Sequence, residues 1–133
     1  GLLVVFGTWC PNCNDLTATL VELQRRYPDL RIVGVAFELG SDPVKHREAV
    51  RGYIDHHGIE YPVLIGGSAS KALASEALPI LDRVRAYPTT VFLERGRRPA
   101  AVHTGFSGPA TGQRYEALVA RFESEIQTLI GSR

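Results

Sequence analysis

Cysteine chemistry is the first activity that the sequence suggests, because its two cysteines lie only three positions apart in Trp9-Cys10-Pro11-Asn12-Cys13. A disulfide between such close neighbours closes a very small loop and stabilises a fold little. A disulfide framework needs more pairs than this, and a structural zinc site needs four ligands. The spacing therefore favours a reactive pair over an architectural one.

The flanking residues predict that this pair lies where a strand passes into a helix. Leu2 to Phe6 is a continuous apolar run, typical of a strand covered on both faces. Cys10 would then face the unpaired N–H groups and the positive dipole end of the helix, which favour thiolate over thiol. Pro11 suits the first helical position, and Cys13 falls one turn inside the helix. The apolar residues that follow recur at helical spacing: Leu16, Leu20, Leu23 and Tyr27.

This placement predicts thiol–disulfide exchange. Cys10 as thiolate attacks a substrate disulfide, and Cys13 resolves the mixed disulfide and releases the reduced substrate; the reverse direction oxidises dithiols. We expect no cofactor beyond the redox-active Cys10–Cys13 disulfide, and no bound metal.

The remaining elements alternate between strands and helices. Further strands are predicted over 31–37, 61–65, 89–93 and 100–104, and further helices over 43–57, 69–77 and 115–130. Gly66-Gly67-Ser68 is interpreted as a turn in which Ser68 caps the helix over 69–77. Strands alternating with helices imply a sheet covered on both faces, and the final hairpin makes that sheet mixed. The prediction is a single α/β domain over residues 1–133, built as a three-layer sandwich.

The composition is that of an ordinary globular domain. Of 133 residues, 44% are hydrophobic and 22% charged, and the net charge is +1. This charge gives no electrostatic footprint for nucleic acid or an anionic membrane, and no apolar run approaches the roughly 20 residues that span a bilayer. The chain opens directly on the first strand, so we expect a piece of a longer precursor whose missing segment would carry any signal peptide or anchor.

The segment from Val4 to Cys13 resembles the active-site segment of the TlpA/ResA branch of the thioredoxin superfamily. A second match is Tyr87-Pro88-Thr89-Thr90-Val91-Phe92-Leu93, where that family carries a cis-proline followed by a strand, and a third is Gly105. The resemblance covers essentially the whole chain. It implies a thioredoxin-like three-layer α/β/α sandwich with a mixed central sheet.

The resemblance also implies roles for individual residues. Cys10 would be the exposed nucleophile, Cys13 the resolving thiol and Pro88 the cis-proline that shapes the substrate groove. Classical thioredoxin has a buried Asp at the position of Val4, and here Glu38 is the candidate proton acceptor instead. The groove itself would be lined by Trp9, Pro11, Tyr87 and Thr89, and Tyr87 is larger than the residue often found before the cis-proline.

The family further implies a setting for the protein. Members are bacterial and periplasmic, some held by a membrane tether, and often serve as reductants in cytochrome c maturation or cysteine repair. We therefore expect a monomer with antioxidant activity that meets protein thiol or disulfide substrates and an upstream electron donor. The direction of electron flow stays open, because Pro11 directly after Cys10 is similar to oxidising members whereas the branch is mostly reducing.

Three other functions compete with this one. A copper-binding metallochaperone of thioredoxin fold would need a distal His, and His103 is the candidate. A peroxiredoxin-like peroxidase would need a Thr three residues before its cysteine, whereas Thr8 lies two before Cys10. A binding module without chemistry would leave both cysteines unexplained. His56 and His57 are interpreted as the end of a helix, where His suits the dipole, and not as ligands.

Overall fold

The protein is built on a mixed five-stranded sheet with its first strand at the centre. The computed structural model describes residues 1–69, 87–94 and 99–131. The strands are β1 (Leu2–Phe6), β2 (Ile32–Glu38), β3 (Val63–Ser68), β4 (Thr89–Leu93) and β5 (Pro99–Thr104). Their order across the sheet is β3-β2-β1-β4-β5, with β1, β2 and β3 parallel and β4 and β5 each antiparallel to its neighbour. The predicted α/β fold with a mixed central sheet is confirmed.

Three α-helices and one 3-10 turn lie among the described residues, and cap residues mark both ends of the second helix. The elements are α1 (Pro11–Arg26), α2 (Pro43–His57), a short 3-10 turn (Pro109–Thr111) and α3 (Gln113–Gly131). The Asp42 carboxylate accepts the Val44 N–H at the start of α2, and Gly58 ends that helix in the left-handed conformation with φ 65°. Within the described part of the chain, no helix has the length and apolarity to cross a membrane.

Two clusters of buried side chains lie on opposite faces of the sheet, because successive strand residues point to opposite sides. The larger cluster joins β1 and β4 to all three described helices. Its central members are Leu2, Val4, Phe6, Leu16, Leu20, Val50, Phe92, Phe122 and Ile126. The smaller cluster contains Val5, Val35 and Phe37. The helix predicted over 69–77 lies outside the described residues except for Ala69.

The predicted turn at Gly66-Gly67-Ser68 is wrong, because these residues continue β3 beside β2. A Cβ on Gly66 would lie 2.5 Å from Cε1 of Phe37, so the strand approaches this ring more closely than any side chain allows. Gly67 follows with φ 120°, next to the register shift at Phe37. Gly66 thus makes room for a buried ring, Gly67 allows the positive φ, and neither glycine ends the strand.

The strand directions bring three separate segments to one edge of the sheet. The carboxyl ends of the parallel strands β1 and β2 meet there, and the antiparallel strand β4 begins there. Cys10 follows β1, Glu38 ends β2 and Pro88 precedes β4. Residues that are far apart in the chain are therefore neighbours at this edge.

Two glycine substitutions test this account of β3. Gly66→Ala forces a methyl group against the buried Phe37 ring and should lower the free energy of unfolding by about 1–3 kcal/mol. Gly52→Ala is the matched control: the site lies on α2 with open space around a new Cβ. This change should raise the free energy of unfolding by about 0.5–1 kcal/mol. Urea titrations measure both values, and a neutral Gly66→Ala would contradict the close packing.

Candidate active site

Cys10 is the N-cap residue of α1, and its sulfur accepts a backbone N–H of the first turn, as a capping oxygen usually does. The backbone is extended at φ −94° and ψ 117°, and Sγ accepts the backbone N–H of Cys13 at 3.3 Å. Pro11 occupies the first turn, where its missing N–H removes no helical bond. The position sets Sγ beside unpaired N–H groups and the positive end of the helix dipole, which favour negative charge on the sulfur.

Cys10 is covered more closely than the sequence predicts. The residue is 6% exposed, so the expectation of an exposed nucleophile is wrong, while Cys13 is fully buried at 0%. The segment before β4 lies against it: Sγ is 3.7 Å from the carbonyl oxygen of Tyr87, and the Tyr87–Pro88 peptide bond is cis, as expected. Cys10 thus lies beside the Tyr87–Pro88 segment and keeps some surface, whereas Cys13 keeps none.

Trp9 forms a wall next to the cysteine pair. Its Nε1 donates to the carbonyl oxygen of Phe37 at 2.9 Å, and its ring meets the edge of Tyr87 with centroids 5.4 Å apart. The side chain remains 39% exposed, and Pro11 beside it is also exposed. Thr89 differs from the prediction: it is 2% exposed within β4, so its side chain does not line an open groove.

Gly7 allows the indole of Trp9 to take this place. A Cβ at position 7 would lie 2.6 Å from Cε2 of Trp9 and 2.8 Å from the carbonyl oxygen of Phe37. Any larger residue would have to displace the hydrogen bond between those two groups. The glycine in Gly7-Thr8-Trp9 is therefore required by a close approach.

The Cys13 thiol resists ionisation. Burial is the main cause that raises its pKa above the ordinary value, the hydrogen bond with Cys10 adds to it, and the charges of Cys10 and Glu38 act in the same direction. Both cysteines are free thiols. Cys13 therefore keeps its proton at neutral pH in the dithiol form.

Glu38 is a buried carboxyl group at the end of β2, 4% exposed. Its Oε2 accepts the backbone N–H of Thr8 at 2.9 Å, and its Oε1 accepts the Thr8 hydroxyl. Both oxygens thus accept a hydrogen bond from Thr8. No other carboxyl group is buried among residues 1–69, 87–94 and 99–131. Glu38 therefore holds the loop that leads to Cys10 and also places charge near Cys13.

Sequence reasoning missed the polar contacts that α2 makes with the start of α1. The Tyr53 hydroxyl donates to the carbonyl oxygen of Cys13 at 3.2 Å, and Nε2 of His57 lies 3.0 Å from Oδ1 of Asn14. The available signal was that Tyr53 and His57 share one face of the predicted helix. Their pairing with α1 could not be foreseen, because it depends on how two helices pack.

His103 does not join the cysteines in a metal site. Its ring packs on Phe92 and Phe122, with centroids 5.6 and 5.2 Å away. The described ranges contain no group of three or more His, Cys, Asp or Glu side chains that could hold a metal ion. The described residues thus offer no set of metal ligands that would support the copper-chaperone alternative.

Comparison with solved structures identifies the fold. One neighbour is a proposed thiol:disulfide interchange protein DsbE from Chlorobium tepidum (TM-score 0.63, 18% identity, covering 93% of this chain and 77% of that one). Another is a secreted Mycobacterium tuberculosis disulfide oxidoreductase homologous to E. coli DsbE (TM-score 0.58, 16% identity, 87% and 79%). A third is a thioredoxin-like protein from Aeropyrum pernix (TM-score 0.66, 16% identity, 96% and 76%).

These neighbours show that the chain has the thioredoxin-like α/β fold that the motifs predict. Two of the three are described as disulfide-exchange proteins. Neither a known protein family nor a curated protein matches the sequence. The fold is therefore established by structure, and the activity must be argued from the site.

Alkylation of the reduced protein should separate the two sulfurs. We expect iodoacetamide at neutral pH to label Cys10 first, because the buried Cys13 has a raised pKa and stays protonated. Raising the pH above 9 should not raise the alkylation rate of Cys13 to that of a free thiol. Mass spectrometry of the labelled peptides measures both rates, and labelling in urea provides the reference. Equal labelling of the folded protein would contradict the assignment.

Proposed function

We propose that this protein is a thiol–disulfide oxidoreductase that exchanges disulfides with protein substrates through Cys10 and Cys13. The observation that carries the proposal is the hydrogen bond from the Cys13 N–H to Sγ of Cys10 at the start of α1. This contact stabilises a thiolate where the adjoining Tyr87–Pro88 segment would receive a substrate. The disulfide-exchange proteins among the structural neighbours support the same activity.

The two cysteines of the protein and the substrate disulfide account for every bond and electron in the proposed exchange. The Cys10 thiolate attacks one sulfur of a substrate disulfide, forms a mixed disulfide and expels the other substrate sulfur as a thiolate that takes up a proton. Cys13 then loses its proton and attacks Sγ of Cys10, which releases the second substrate thiol. The protein is left with a Cys10–Cys13 disulfide, and two electrons have passed to the substrate. No other cofactor is needed, and an upstream dithiol donor restores the reduced form.

The second step requires a proton acceptor, because Cys13 is protonated at neutral pH. Glu38 is the group proposed for this role: it is buried, its oxygens are held by Thr8, and its charge acts on Cys13. Val4 is apolar at the position of the buried Asp of classical thioredoxin, so it offers no proton acceptor.

The substrate would lie over the surface that Trp9 and the Tyr87–Pro88 segment form beside Cys10. Trp9 and Tyr87 pack edge to face there, and Pro11 is exposed beside them. Aromatic and proline surfaces suit an extended peptide around the attacked disulfide. We further propose that this exchange takes place outside the cytoplasm, as for the secreted Mycobacterium tuberculosis neighbour, and that the protein acts there as a reductant.

Serine substitutions at the two cysteines test the activity. Cys10→Ser should abolish insulin reduction and dithiol oxidation, because no nucleophile remains at the start of α1. Cys13→Ser should retain the first attack and accumulate a mixed disulfide with the substrate, detectable on non-reducing gels. A wild-type protein inactive in both assays, or a Cys10→Ser variant that keeps its activity, would contradict the proposal.

Glu38→Gln tests the proton acceptor. We expect resolution of the mixed disulfide to slow by about 100-fold, the lower range for general acid–base catalysis, while the first attack by Cys10 is nearly unchanged. Thr8→Val is the matched control, since it removes one hydrogen bond to the carboxyl group but keeps the group itself. Stopped-flow measurements of Trp9 fluorescence follow both steps. Equal slowing in both variants would mean that Glu38 only anchors the loop.

A further inference from the structure

Two residues of α2, one turn apart, reach across to the first turn of α1. The Tyr53 hydroxyl lies 3.2 Å from the Cys13 carbonyl oxygen and 2.7 Å from Oγ1 of Thr17. Nε2 of His57 lies 3.0 Å from Oδ1 of Asn14. Tyr53 is 7% exposed, and its ring packs on His57 with centroids 4.4 Å apart. The two side chains thus form one packed unit against the helix that begins at the nucleophile.

The hydrogen-bond directions in this unit are fixed by its geometry. Nδ2 of Asn14 donates to the carbonyl oxygen of Cys10 at 3.0 Å, so Oδ1 of Asn14 must be an acceptor. His57 therefore donates through Nε2–H. Burial, followed by the nearby charge of His56, lowers the pKa of His57 and favours its neutral form. The neutral tautomer with hydrogen on Nε2 supplies the required donor.

The hydrogen bonds of Tyr53 and His57 both act on the carbonyl group of Cys10, and they do so through Asn14. This oxygen accepts the backbone N–H of Asn14 at 3.2 Å as well as the Asn14 side chain. The peptide group that supplies this N–H has the Cys13 carbonyl at its other end, where Tyr53 donates. Hydrogen bonds joined in a chain polarise one another. Tyr53 therefore strengthens the bond from the Asn14 backbone N–H to the Cys10 carbonyl oxygen, and His57 orients the bond from the Asn14 side chain to the same oxygen.

We propose that Tyr53 and His57 are positioning residues for the redox reaction, holding the backbone of Cys10 so that its sulfur stays over the start of α1. The inference rests on the proposed function and deepens it. Neither side chain needs to touch the substrate. Their effect reaches the sulfur through the main chain of Cys10, whose extended conformation sets Sγ within reach of the Cys13 N–H.

The direction in which the reduction potential changes depends on whether the hydrogen bond from the Cys13 N–H to Sγ of Cys10 stabilises the reduced or the oxidised protein. The N–H to sulfur bond stabilises the thiolate, which belongs to the reduced protein. Losing the orientation of Cys10 should therefore disfavour the dithiol form and make the reduction potential more negative. The reaction of Cys10 with alkylating reagents should slow in parallel.

The experiment compares His57→Leu with His57→Gln in equilibrium with glutathione. His57→Leu removes the donor to Asn14 and should lower the equilibrium constant for reduction by about three- to tenfold, the range for one hydrogen bond. Tenfold corresponds to a shift of about 30 mV for this two-electron couple. His57→Gln keeps an N–H donor at similar reach and should restore most of the wild-type value. Arg51→Gln, at an exposed site on the same helix, should leave the potential unchanged.

Two further variants keep the inference testable if His57→Leu folds poorly. Tyr53→Phe retains the ring packing and removes only the hydroxyl donor, and it should shift the potential in the same direction. Asn14→Ala combined with His57→Leu should shift the potential no further than Asn14→Ala alone, because His57 acts through Asn14. Thermal unfolding of every variant identifies changes caused by lost stability.

The outcomes separate this inference from the proposed function. If the wild type catalyses disulfide exchange but folded His57→Leu and Tyr53→Phe keep its potential and alkylation rate, the positioning role is wrong. If His57→Gln behaves like His57→Leu, the donor to Asn14 is not the cause. If the wild type catalyses no exchange, the proposed function itself fails.

Discussion

Cys10 caps α1 with its sulfur, accepting the Cys13 N–H where most helices use a hydroxyl or carboxylate oxygen. The other features of the site depend on this substitution of sulfur for oxygen. A helix leaves its first N–H groups without internal partners, and the sulfur that satisfies one of them gains from carrying negative charge. The same geometry places Cys13 one turn later and fully buried. A single helix start thus makes the two sulfurs chemically unequal.

The sheet supplies the surroundings of this helix start. Since β1 lies between the parallel strand β2 and the antiparallel strand β4, the site receives Glu38 from one neighbour and the Tyr87–Pro88 segment from the other. The indole of Trp9 joins these sides, bonding to the Phe37 carbonyl and packing against Tyr87. The site is therefore assembled from three strand ends and not from one continuous motif.

The helix α2, between β2 and β3, has a part in the same assembly. Its residues Tyr53 and His57 form hydrogen bonds with the first turn of α1. The start of α1 is thereby held by one hydrogen bond to its main chain and one to the Asn14 side chain. Val4 adds no polar group to the site, so Glu38 supplies its one buried carboxyl group among the described residues.

The sequence by itself determined the reactive pair, its place at a strand–helix junction, the mixed sheet and the cis-proline position. Strand, turn and helix signals are local and suffice to locate the pair, the junction and the sheet, whereas the cis bond is expected from the family resemblance of the Tyr87-Pro88 segment. The wrong prediction of a turn at Gly66 shows the limit, because the need for glycine at this position comes from the ring of Phe37 on another strand.

Only the tertiary structure decided how far each sulfur is buried, which groups Glu38 binds and which helix holds the start of α1. Burial and hydrogen bonding between distant segments depend on strand order and helix packing, and no local pattern encodes either. The reactivity of Cys10 is predicted from its spacing to Cys13 together with its place at a strand–helix junction. That its carbonyl is held by Asn14 with help from His57 follows only from where α2 lies.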